Sequence, residues 1–65
     1  MEKWIAHAVG LMHINNISQA ELSNRIGVRR EYLNKILNGK IFPKDAESRV
    51  MMALESIISE RGSNE

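Results

Sequence analysis

Apolar residues recur along this chain at helical spacing, and no stretch alternates with the two-residue period of a strand. Trp4, Ile5, Ala8, Val9, Leu11 and Met12 fall on one broad stripe at 100° per residue, which predicts a first helix over about residues 2–14. Lys3, His7, Gly10 and His13 occupy its other side. Asn15 and Asn16 follow as a stop signal, because asparagine tolerates the left-handed conformation that ends many helices.

The second predicted helix covers about residues 18–26. Ser18 is a suitable N-cap, and Glu21 three residues later completes a capping-box pattern. Ile17 before the cap and Leu22 beyond it form a candidate hydrophobic staple. Leu22 and Ile26 are expected to point inward, with small Ala20 and Ser23 letting a neighbouring helix approach closely. Gly27 is expected to end this helix with a positive φ.

A third helix is predicted over about residues 29–37, packed through Tyr32, Leu33, Ile36 and Leu37 and entered at Val28. Asn38-Gly39 then signals a turn, and Pro43 prevents the helix from continuing. Ala46, Val50, Ala53, Leu54, Ile57 and Ile58 repeat along a fourth helix, over about residues 44–61. Asp45 and Glu47 near its start and Arg61 near its end suit the helix dipole. The expected architecture is all-α, a small core within four helices, possibly five. One domain over residues 1–61 and a frayed tail at 62–65 account for the whole chain.

Sixty-five residues leave a domain of marginal stability unless it pairs with a partner. There is no cysteine, which removes disulfides and thiolate metal sites. His7 and His13 lie on different sides of a helix, so no metal site is expected. No apolar run is long enough to cross a membrane, and no signal-peptide layout is present. The expected location is the cytoplasm, in association with the nucleoid.

The net charge of +1 conceals a division along the chain. In residues 1–24, Lys3 stands against Glu2 and Glu21. Residues 25–49 hold Arg25, Arg29, Arg30, Lys35, Lys40, Lys44 and Arg49 against only Glu31, Asp45 and Glu47. In residues 50–65, Arg61 faces Glu55, Glu60 and Glu65. The middle of the chain is the part that a polyanion attracts.

Within that middle, Arg30, Glu31, Asn34 and Lys35 share the polar side of the third helix. An apolar face that fixes a helix, opposite a face of long hydrogen-bonding side chains, is how a protein presents a helix to a groove of DNA. Arginine reads guanine with two hydrogen bonds, and lysine meets guanine or phosphate. Glu31 can accept from a cytosine amino group, although pairing with Lys35 four residues on accounts for it without DNA. Tyr32 carries a hydroxyl that can reach phosphate, while its ring is expected to pack against the first helix or the following loop.

Residues from about 5 to 60 resemble the phage-repressor and Cro-like helix-turn-helix domains, the xenobiotic-response-element type of small regulator. The resemblance is carried by Gln19 at the start of helix 2, small Ser23, the turn at Gly27, Leu33 and Ile36, and Asn38-Gly39-Lys40 followed by Pro43. It implies that Arg29, Arg30, Glu31 and Lys35 face the bases of the major groove, and that Gln19, Asn38 and Lys40 contact the DNA backbone. Asn34, on the same polar side of the helix, is a further base-reading candidate; Ser18, at the N-terminus of helix 2, and Tyr32, through its hydroxyl, are further phosphate candidates. No catalytic set, phosphate loop or cofactor motif is present, so no enzymatic activity and no cofactor are expected.

The chain departs from the resemblance in helix 1, where Met12 stands at a position often held by arginine, with His13 next to it. Met52 also lies off the apolar stripe of helix 4. Surplus apolar surface on so short a chain points to a homodimer, with Met52, Ile58 and Trp4 as interface candidates and helix 4 the preferred element. The functional expectation is a dimeric repressor of phage or mobile-element origin that occludes a promoter at a palindromic operator. The alternative is a helix-turn-helix scaffold used as a protein-interaction module or inhibitor of a host protein.

Overall fold

The computed structural model describes residues 2–62, which form four helices: α1 (Lys3–Ile14), α2 (Gln19–Ile26), α3 (Arg30–Leu37) and α4 (Ala46–Gly62). No strand and no fifth helix occurs among the described residues. Helix α4 packs on both α1 and α2, and α2 packs on α3. The core is built from Ile5, Ala8 and Met12 of α1, Ile17, Leu22 of α2, Leu33 and Leu37 of α3, and Val50, Ala53, Leu54 and Ile57 of α4. Each of these was placed inside by the apolar periodicity, except Ile17, which that reading assigned to the staple.

The first three helices end in the same way. Asn16 adopts a left-handed φ of 55°, and the amides of Asn16 and Ile17 turn back to the carbonyls of His13 and Met12. Gly27, with φ 90°, lets its own amide and that of Val28 reach the Ser23 carbonyl. Gly39, with φ 72°, does the same for the carbonyls of Ile36 and Lys35. These are left-handed helix endings that satisfy carbonyls the last turn leaves open. The chain therefore reverses direction through its backbone, and each joint needs few residues.

Ser18 accepts a hydrogen bond from the Glu21 amide at 3.0 Å, as the cap pattern requires. The reciprocal half of the capping box does not form. Glu21 instead meets Arg61 of α4 at 2.7 Å, and Arg61 also donates to the Asn15 carbonyl. These contacts hold the last turn of α4, which runs through Gly62 rather than stopping before it. The rest of the expected tail, residues 63–65, lies outside the described residues. At the other end, α4 begins at Ala46 instead of Lys44, because the Ala46 amide closes a turn on the Pro43 carbonyl at 3.1 Å.

Two further expectations are corrected by packing. Val9 is exposed, since α1 buries only the narrower stripe of Ile5, Ala8 and Met12 against its neighbours. Ala20 is also exposed; Ser23, 3% exposed, is the small residue at the close approach.

Candidate nucleic-acid interface

Helix α2 runs antiparallel to α4, and cations lock the pair at successive levels. Arg49 donates to the Ile26 carbonyl at 3.3 Å, Arg25 reaches Ser56 and Glu60, and Arg61 reaches Glu21. Arg25 of α2 and Arg49 of α4, counted in sequence as part of the basic middle, are thus turned toward each other's helix. Their partners lie far along the chain, and only the antiparallel packing brings them together. Arg49 also stands 3.8 Å from Asp45.

The remaining cations of the middle segment have no internal ion pair. Arg29, Arg30, Lys35, Lys40 and Lys44 are exposed and unpaired among the described residues. Glu31 and Lys35 likewise do not pair, although helical spacing permits it. Exposed pairs of this kind contribute little, so their absence leaves both side chains available at small cost.

Seven of the expected contact residues surround one open depression between the start of α2 and the outer face of α3. Ser18, Gln19, Arg30, Glu31, Asn34, Lys35 and Lys40 line it, together with Ala20. Lys40 joins the group because the left-handed turn at Gly39 brings the chain back beside α3. Ala20 was not expected here; an uncharged methyl beside cations allows a close approach by a backbone ligand, and no sequence signal separates that role from helix packing.

The other expected contact residues sit elsewhere. Arg29 is the exposed residue before α3, with no side-chain cap bond, and does not border the depression. The first-turn amides of α3 consequently face no capping oxygen, an arrangement suited to an anion. Tyr32, 39% exposed, lies with Ile26, Val28, Pro43 and Arg49 around a separate hollow, beside the following loop, which was one of its two expected neighbours, and not against α1. Asn38 turns toward α3, where its Nδ2 donates to the backbone and side-chain oxygens of Asn34 at 2.8 and 3.0 Å. Asn34 in turn donates to Gln19 Oε1 at 3.2 Å.

Of the three interface candidates, Met52 is 67% exposed, while Trp4 and Ile58 are half-buried against the core. The Trp4 indole also donates to Glu2 at 2.9 Å.

A family model described as Helix-turn-helix matches residues 15–47, just over half of the chain. The chain belongs to the helix-turn-helix family. The match spans α2, the Gly27 turn and α3, which are the elements that build the depression. This helix-turn-helix domain is a DNA-binding regulator domain, and α1 with most of α4 forms the support outside the matched segment. Comparison with curated proteins and with solved structures finds no match. No helix among the described residues is long and apolar enough to cross a membrane.

Proposed function

We propose that this helix-turn-helix domain is a sequence-specific, dimeric repressor of phage or mobile-element type, acting at the nucleoid by occluding a promoter. In this reading α3 enters the major groove, with Arg29, Arg30, Glu31 and Lys35 on the base side. Ser18, Gln19, Tyr32 and Lys40 belong to its phosphate-facing margin, while Asn34 and Asn38 are bonded to one another behind Gln19. The observation that carries the reading is the sorting of charge. Arg25, Arg49 and Arg61 are engaged within the fold, whereas Arg30, Lys35 and Lys40 stand unpaired around one open face.

Dimerisation is supported by Met52, which lies on the outer side of α4 beside Ile26 and Ala53. Two-fold pairing presents two copies of α3 to successive major grooves about 34 Å apart, which requires a palindromic operator. Affinity for the DNA upstream of its own gene, measured against scrambled duplex over a salt series, tests the proposal. Tight, salt-dependent and sequence-selective binding is expected. Equal weak binding to both duplexes refutes it.

A second reading is favoured by α1, whose Val9 and Ile14 are 42% and 77% exposed. That surface suits a protein-interaction module or inhibitor built on the same scaffold. Capture of a host protein that survives nuclease treatment, with no selective DNA binding, would establish it over the repressor.

A further inference from the structure

We infer that Asn34 is a positioning residue, which holds the Gln19 carboxamide with its NH2 group turned outward to a DNA phosphate. The inference rests on the DNA-binding reading above. A primary amide has one accepting oxygen and a nitrogen with two hydrogens, so a chain of amides has a direction. Here that direction is set at Asn38. Its Nδ2 donates to the backbone carbonyl of Asn34, which can only accept, and to Asn34 Oδ1.

Asn34 Oδ1 is therefore the accepting end, and Nδ2 is left facing Gln19 Oε1. Reversing Asn34 would set two NH2 groups against each other; reversing Gln19 would do the same one step later. Both hydrogens of Asn38 are engaged, one of Asn34 is, and neither of Gln19 is. The free donor end falls on Gln19, at the N-terminal turn of α2 and on the rim of the depression. An amide donor there attracts a phosphate, whereas an amide oxygen would repel it.

The same bonds fix the Asn34 carboxamide before DNA arrives: its oxygen and its nitrogen each hold one partner within the protein. Asn38 spends both amide hydrogens on Asn34, so the neutral phosphate contact falls to Gln19.

The test uses a duplex selected by the parent chain from a randomised library about two helical turns long. Asn34→Ala is expected to weaken binding to that duplex and to single-base variants by one common factor, roughly five-fold. Gln19→Ala is expected to do the same, and the double variant to be no weaker than Gln19→Ala alone. Because the contact is neutral, the salt slope stays at the parent value. Asn38→Ala removes the group that sets the direction of the chain and is expected to weaken all duplexes by a common factor smaller than that of Asn34→Ala, because Asn34 still faces Gln19.

Melting temperatures confirm that each variant is folded, and slowed exchange of the Asn34 and Asn38 side-chain amide protons in the free parent supports the chain of bonds independently. Loss of discrimination at one base pair in Asn34→Ala, or additive losses with Gln19→Ala, overturns the assignment while leaving the DNA reading intact. A parent chain that selects no duplex overturns both.

Discussion

Arg25 grips the Glu60 carboxylate with both terminal nitrogens, each at 2.8 Å, joining α2 to α4 across 35 positions of sequence. This bidentate contact holds the helix behind α3 against the longest helix of the domain. A side-chain hydrogen bond from Arg25 lowers the Glu60 pKa below its ordinary 4.5, and the same bond raises that of Arg25.

The sign of the pH dependence follows. Glu60 is more acidic in the folded chain than in the unfolded one, so its contribution to stability is complete above the ordinary glutamate pKa of 4.5. It is lost as pH falls from there through the lower folded value. Melting curves across the acid range are expected to show a steeper loss for the parent than for Glu60→Gln. Parallel acid limbs would refute the role given to this pair.

Gly27 offers a test of backbone conformation alone. Its φ is 90°, and a Cβ built there meets nothing within 4 Å. Gly27→Ala is therefore expected to destabilise by roughly 1–2 kcal/mol through the left-handed conformation and not through a clash. Gly27→Asn is expected to cost less. Denaturant titration of the two variants checks the order.

Arg30→Ala is expected to weaken operator binding by about 1–3 kcal/mol and to relax preference at the base it faces. Lys40→Ala is expected to weaken all duplexes alike and to reduce the salt slope by about one. Binding isotherms on single-base variants over a salt series separate the two effects. Interchanged outcomes would reverse the assignment of base and phosphate contacts.

Met52 is exposed to 67%, so Met52→Glu is expected to leave the fold of the single chain intact. If α4 forms the dimer surface, the substitution dissociates the pair and removes cooperative binding to a two-site duplex. Sedimentation of parent and variant measures this directly. An unchanged dimer would move the interface to another element.

Sequence pattern made much of this legible because the signals were local. Periodicity located α1, α2, α3 and α4 to within two residues, and the endings at Asn16, Gly27 and Gly39 follow from residue types that accept a positive φ. Most of the expected contact residues do share one face, since helical spacing decides which side chains neighbour each other. The ion pairs of Arg25 and Arg61 were illegible, because their partners lie 35 and 40 positions away. Tyr32 and Val9 show a different limit. Periodicity gives the centre of an apolar stripe, but its buried width depends on which neighbours cover its edges.

The Gly27 joint has a consequence for how such a domain changes its target over time. The joint between α2 and α3 is made by main-chain geometry at Gly27 and by Leu33 and Ile36 on the buried side, opposite the exposed side chains of α3. Arg30, Glu31 and Lys35 can therefore be exchanged for other polar residues without disturbing the mounting that presents them. If the proposed reading holds, a lineage carrying this domain can drift to new target sequences through a few surface codons while its thermal tolerance stays the same.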